Sequence, residues 1–132
     1  MTFLPRTPPP APERVERVRA WVEALTSALE TGDLDAMGRL FAVECSWQPG
    51  PFATVLRGRA AIREHLATRL AGMPGLDTRA EILGAGATHA VIHWSLTWGG
   101  DDGRADGILV VAFDAMGRGA AVRESTLQPP TS

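Results

Sequence analysis

"AVIHWSLTWGGDDGRADGILVVAF", residues 90–113, is the stretch that decides the fold. Apolar and polar side chains alternate between Ala90 and Trp98, which is the pattern of a strand with one buried face. The Gly-Gly-Asp-Asp-Gly run that follows is typical of a hairpin loop. Residues 108–113 are apolar throughout, which predicts a central strand covered on both faces. The stretch therefore predicts two strands joined as a hairpin.

Three helices are predicted on the amino-terminal side of this hairpin. Apolar residues spaced by three and four form one stripe from Val15 to Leu29 and a shorter one from Leu34 to Phe41. A third helix is expected to begin after Gly58 and to end at the breaker sequence of residues 72–75. Helices followed by hairpin-linked strands indicate an α+β fold with the helices on one face of the sheet. A curved sheet over helices leaves a cone whose open end suits a small molecule.

The composition excludes several classes of protein. The 132 residues suffice for one domain, which we place at residues 12–128, between a disordered proline-rich tail (1–11) and a short C-terminal tail (129–132). A net charge of −2 gives no basic surface for nucleic acid, and no stretch is long enough to span a membrane. The single cysteine excludes an internal disulfide, and with no secretory-type apolar segment we expect a cytoplasmic protein.

Four segments resemble, in order and spacing, those of the NTF2-like superfamily, and in particular its SnoaL-like proteins. They are "TGDLDAMGRLFA", "LRGRAAIREHL", "VIHWSLTW" and "DGILVVAFDAMGRGAAVRES", within residues 13–127. The resemblance implies a cone-shaped barrel in which three N-terminal helices pack in a curved, mainly antiparallel sheet. It also implies a homodimer formed through the outer face of the sheet. The likeness is closer to uncharacterised SnoaL-like proteins than to the enzymes of the superfamily, and a fold of this kind does not define one function.

The catalytic residues of the ketosteroid isomerases and polyketide cyclases do not carry over to this chain. The isomerases have an aspartate base where this sequence has Gln48-Pro49, and neither residue accepts a proton from carbon. Their two oxyanion-binding residues correspond to positions near Leu25 and at Leu109. The cyclases carry an acid at the position of Leu109 as well. The resemblance therefore implies neither reaction here.

The epoxide hydrolases of the same superfamily match in part. Arg123-Glu124 stands where those enzymes have an Arg-Asp pair on the last strand. Their earlier Arg-x-Asp falls near His93 and Ser95, which do not match it. Residues 104–106 read Arg-Ala-Asp, but they follow the hairpin turn and are expected at the mouth of the barrel.

Glu124 and His65 are the candidate catalytic residues. If the resemblance sets the alternation of the last strand, Glu124 points into the cone, where an apolar environment would suit it to acid/base work. The alternative is a structural ion pair between Glu124 and an arginine, with Arg59 or Arg63 as the expected partner. His65 lies beside Leu66 on the third helix and would assist as a proton shuttle, or it is a boundary residue.

A mostly apolar ligand site is predicted between aromatic and aliphatic side chains. Its candidate residues are Trp47, Phe52, Trp94, Trp98 and Leu109. Trp47 and Phe52 flank Pro49-Gly50-Pro51, a turn stiff enough to hold two rings in place. No cluster of histidine, cysteine and acidic residues has ligand spacing, so neither a metal nor another cofactor is expected.

Three functions therefore remain open. The first is a protein that binds a small, largely apolar molecule in the cone, with no assigned reaction. The second is an enzyme of the hydrolase, isomerase or cyclase type that uses Glu124 as general acid/base. The third is a dimerisation scaffold whose pocket is filled by its own side chains.

Overall fold

The computed structural model describes residues 11–100 and 102–130 and shows the expected α+β architecture. Its helices are α1 (Ala11–Thr31), α2 (Leu34–Arg39) and α3 (Arg59–Ala71). Its strands are β1 (Phe41–Gln48), β2 (Leu56–Arg57), β3 (Asp77–Ala85), β4 (His89–Trp98), β5 (Gly103–Phe113) and β6 (Gly119–Leu127). The predicted tail of residues 1–11 lies outside the described residues except for Ala11, which begins α1. None of the described helices is long and apolar enough to cross a membrane.

The six strands form one curved, unclosed sheet in the order β2-β1-β6-β5-β4-β3. All neighbouring strands are antiparallel except β1 and β6, which run parallel. The parallel pair places β6, the last strand of the chain, beside β1, its first long strand. This arrangement confirms the predicted mainly antiparallel sheet.

Helix α1 supplies the largest share of the helical core. Six of its side chains are buried: Val18, Trp21, Val22, Leu25, Ala28 and Leu29. They lie on one stripe, as the sequence pattern predicts. The Trp21 indole N–H donates a hydrogen bond of 2.9 Å to the carbonyl oxygen of Leu40. Its ring meets Phe41 of β1 and Phe113 of β5 edge-on, at centroid distances of 5.8 and 5.3 Å. These contacts tie α1 to the two strands that flank β6.

The second predicted helix is shorter than its apolar stripe indicates. Asp33 caps α2 by accepting a hydrogen bond from the Ala36 amide, but the helix ends at Arg39. Phe41 is therefore the first residue of β1 and not a helical residue as predicted. The side chain of Arg59 donates two hydrogen bonds to the Phe41 carbonyl oxygen. That oxygen is thus satisfied without a further helical turn, while the Phe41 ring still reaches the core.

The central strand β5 is covered on its inner face alone. Leu109 and Val111 are fully buried there, whereas Ile108 and Val110 on the opposite face are half-buried. No described helix packs on the outer face, so the prediction of a strand covered on both faces is wrong for the single chain. The apolar run of residues 108–113 therefore leaves an apolar outer surface.

Two tryptophans of β4 lie over glycines of β5. Trp94 and Trp98 are the register partners of Gly107 and Gly103. A Cβ atom at Gly103 would come within 2.1 Å of the Trp98 ring. One at Gly107 would come within 2.2 Å of the Thr126 hydroxyl, which accepts a 2.9 Å hydrogen bond from the Trp94 indole N–H. The absence of a side chain at Gly107 allows Trp94 on β4 to reach Thr126 on β6 across β5.

We predict that Gly107→Ala destabilises the chain by about 1–3 kcal/mol, because the added methyl group forces the strand backbones or the Trp94–Thr126 bond to shift. The measurement is urea unfolding followed by tryptophan fluorescence. Gly84→Ala is the matched control, since a Cβ at Gly84 in β3 meets nothing within 4 Å. Equal unfolding midpoints for the two variants would contradict the prediction.

Candidate functional site

Glu124 is a buried carboxylate at the centre of the concave face. Val122 and Glu124 alternate inward on β6, as expected, and Glu124 is 4 % exposed. Its Oε1 atom accepts hydrogen bonds from the Trp47 indole N–H at 3.0 Å and from Arg69 Nη1 at 2.7 Å. Its Oε2 atom accepts a 3.0 Å bond from Arg69 Nη2. Both oxygens are thus satisfied by groups from β1 and α3.

Arg69 is the partner that the sequence did not reveal. The ion-pair alternative for Glu124 holds, but Arg59 and Arg63 are not its partners: Arg59 binds the Phe41 carbonyl and Arg63 pairs with Asp35. Arg69 follows the buried Leu66 by three residues, so both lie on the inward side of α3. That spacing was the sequence feature that could have identified it.

Trp94 forms an aromatic wall beside the ion pair. The Arg69 guanidinium carbon lies 5.6 Å from the Trp94 ring centroid, within the range of a cation–π contact. The Trp94 N–H is bonded to Thr126, so the ring is fixed in orientation. Because Glu124 and Trp94 both hold the guanidinium, Arg69 has one well-defined position in the folded chain.

His65 lies one helical turn before Arg69 and contacts the Trp47 ring at a centroid distance of 6.3 Å. Burial lowers the pKa of His65 from its ordinary value of 6.5, the positive charge of Arg69 lowers it further, and Glu124 opposes the change. The lowered pKa favours the neutral imidazole. Its Nε2 atom is buried and has no hydrogen-bond partner in the described part of the chain.

The other predicted ligand residues separate into inner and outer groups. Trp47 is fully buried and Leu109 is 1 % exposed, both on the concave face with Glu124 and Trp94. Trp98 is half-buried over Gly103, at the hairpin end of β4. Phe52 is 102 % exposed, so the structure does not bring it together with Trp47. The turn of residues 49–51 directs the Phe52 ring into solvent.

A small gap remains inside the cone next to the ion pair. Its volume is about 10 Å³. Its walls are Leu29, Leu66, Arg69, Leu70, Met73, Leu76, Trp94 and Leu96. A volume of this size holds about one water molecule.

The outer face of the sheet carries a larger and more open hollow of about 690 Å³, formed by β4, β5 and the end of β6. Arg104 and Asp106 point outward there, whereas Ala105 between them points inward. Asp106 accepts one hydrogen bond from the Ser95 hydroxyl and forms another with the His93 ring. The bond to His93 is the largest cause that lowers the pKa of Asp106.

The sequence matches the family model of the SnoaL-like domain over residues 18–122. This chain belongs to that family. No curated protein sequence matches it. Among the described residues of this SnoaL-like chain, no group of three or more histidine, cysteine, aspartate or glutamate side chains is arranged to hold a metal ion.

Solved structures share the fold at low sequence identity. An NTF-2-like protein of unknown function from Burkholderia xenovorans is 18 % identical, with a TM-score of 0.73 over 90 % of this chain and 89 % of that one. A candidate ketosteroid isomerase from Kribbella flavida is 18 % identical, with a TM-score of 0.68 over 89 % and 81 %. The epoxide hydrolase/cyclase-like enzyme SalBIII, which acts in pyran ring formation in salinomycin, is 16 % identical, with a TM-score of 0.69 over 88 % and 92 %.

We predict that His65 makes the chain less stable in mild acid. Because its pKa is lower in the folded than in the unfolded chain, the unfolded chain binds more protons below pH 6.5, and stability falls as the pH decreases through that range. His65→Gln should reduce this loss between pH 7.5 and pH 5, measured by urea unfolding at each pH. His89→Gln, an exposed histidine in the same chain, is the control. A pH dependence unchanged in His65→Gln would refute the assignment.

Proposed function

We propose that this SnoaL-like chain binds a small, largely apolar molecule inside the cone, at the gap beside Arg69 and Trp94. The observation that carries the proposal is the position of the Arg69 guanidinium, which borders an apolar gap while Glu124 and Trp94 hold it. Two of its five N–H donors bind Glu124, and the others have no partner among the described residues. A ligand with a carbonyl or ether oxygen would satisfy one of them.

The ligand requires the gap to widen. Met73 and Leu76 belong to the turn between α3 and β3, and Leu70 ends the apolar stripe of α3. All three are half-buried, so outward movement exposes little additional core. A methionine also adapts its shape at low cost, because its side chain is unbranched. The turn between α3 and β3 is therefore the proposed entrance.

The enzyme alternative has less support from the geometry. Acid/base work by Glu124 needs an oxygen within hydrogen-bond reach of a substrate. Oε1 already accepts two hydrogen bonds and Oε2 one, all from Trp47 and Arg69. We therefore propose binding without a stated reaction. The small volume of the gap is the one observation that favours the scaffold alternative over ligand binding. A ligand titration separates the scaffold alternative from ligand binding.

The test is a titration of the ¹⁵N-labelled full chain with 1-indanone, a flat neutral ketone, and with indane, which lacks the oxygen. We expect 1-indanone to shift the Trp94 indole N–H resonance and indane to bind more weakly. Met73→Trp should fill the gap and lower the affinity for 1-indanone at least about tenfold. Met116→Trp, at an exposed site, should leave it unchanged. A Trp94 resonance that does not move at low-millimolar 1-indanone would support the scaffold alternative.

We also propose that two copies pair through the outer face of the sheet. The support is the open hollow on the outer face of β4 and β5. Ile108 is half-buried in this hollow, and Leu127 at its edge is 76 % exposed. Apolar surface of this kind is typical of a subunit interface when it is rimmed by polar groups such as His93 and Asp106.

We predict that Ile108→Glu converts the dimer to a monomer, because it places an unpaired charge at the centre of the proposed interface. Sedimentation velocity at micromolar concentration measures the change. Val43→Glu is the control, since Val43 is an exposed β-branched residue of β1 outside the hollow. A monomeric wild-type chain, or a dimer that survives Ile108→Glu, would overturn the proposal.

A further inference from the structure

A second groove of about 340 Å³ lies at the other end of α1 from the cone gap, and we call it the end groove. It is bounded by the first two turns of α1, by the turn between β3 and β4, and by the turn between β5 and β6. The Phe113 amide donates a 2.8 Å hydrogen bond to the Thr88 carbonyl, which holds the two turns together. The volume is at the lower end of the range of small-molecule sites, about 300–1,000 Å³.

The floor of the end groove is apolar and rigid. Val18 of α1 is 6 % exposed, and the Phe113 ring meets Trp21 edge-on at 5.3 Å. Ala87 and Ala115 form the sides. These groups offer a ligand a flat apolar surface that is already part of the core, so binding would order few side chains.

The rim of the end groove is positively charged. Arg14 and Arg17 lie one helical turn apart on α1, and both border the groove. Asp114 is the acidic residue of the lining, but it accepts hydrogen bonds from the Arg118 amide and side chain and from the Met116 amide. Its charge is therefore compensated locally by Arg118. Arg17 has no ion pair or hydrogen bond within residues 11–100 and 102–130.

We propose that the end groove binds a small organic carboxylate with an apolar body. The carboxylate lies at Arg17, and the apolar body lies on Phe113 and Val18. A guanidinium presents parallel N–H donors that match the two oxygens of a carboxylate, which favours this anion over a spherical one. The site is separate from the cone gap, because Val18 and Leu29 are eleven residues apart on α1, about 16 Å along the helix axis.

The test is a titration of the ¹⁵N-labelled full chain with octanoate, below its micelle concentration, and with octanamide as the neutral match. We expect octanoate to shift the amide resonances of residues 86–88 and 115–117 and to saturate. Octanamide should bind at least about tenfold more weakly, because it loses the charge-assisted hydrogen bonds. Octanoate shifts that do not saturate, or that octanamide reproduces at equal affinity, would overturn the proposal.

Two variants identify the groups responsible. Arg17→Gln should weaken octanoate binding about tenfold, whereas Arg19→Gln should change it less than twofold. Both replace an arginine of α1 with loss of one charge, but Arg19 pairs with Glu16 and does not border the groove. Ala87→Leu, which keeps the charge and fills the groove, should also weaken binding. Equal effects of Arg17→Gln and Arg19→Gln, or octanoate shifts that centre on the Trp94 indole, would assign the binding elsewhere.

Discussion

The Glu124 carboxylate is the interaction on which the interior of the cone depends. It is carried by β6, and it joins that strand to Trp47 of β1 and to Arg69 of α3. A charge taken out of water costs several kcal/mol unless it is paired and hydrogen-bonded, and loss of one partner from such a pair costs about 3–5 kcal/mol. The side chains around Glu124 therefore have little freedom to rearrange. The ion pair therefore fixes the position of α3 against the sheet.

The same ion pair decides what the cone offers to a ligand. Arg69 is held between Glu124 and the Trp94 ring, and the Trp94 ring is held by Thr126. A gap of about 10 Å³ borders both side chains. A charged group that faces an apolar gap orients a ligand by hydrogen-bonding to its polar atom. The surrounding leucines and Met73 supply most of the apolar contact area. Glu124 thus acts through Arg69 in the proposed site.

Much of the fold followed from local patterns. The alternation of Ala90–Trp98 and the stripe of α1 each depend on one element packing on one side, so period and face are readable from the chain. Phe41 was assigned to a helix because its spacing also continues an apolar stripe. The structure places it in β1, where Arg59 satisfies its carbonyl oxygen from another element. No local pattern contains that contact.

The residues of the candidate site were predictable in part, from local patterns and from the family resemblance. The family resemblance set the inward alternation on β6 that predicted Glu124, and it supplied the position of Leu109. The alternation of β4 predicted the apolar face that carries Trp94. Arg69 was missed because thirteen arginines are present in the sequence and their pairing depends on which helical turn faces the sheet. Phe52 was expected in the ligand site because a stiff turn precedes it. A rigid turn fixes the Phe52 ring relative to the turn itself, but the packing of the turn on the rest of the fold decides whether the ring faces the core or solvent.

The sequence by itself indicated the α+β class and the apolar faces of α1 and β4, because periodicity is readable within a single segment. The likeness to SnoaL-like proteins followed from the order and spacing of four segments. The tertiary structure decided the partner of Glu124, the small size of the gap beside Arg69 and the exposure of the sheet's outer face. Each of these depends on how distant segments meet: Arg69 and Glu124 are 55 residues apart in the chain and 2.7 Å apart in space.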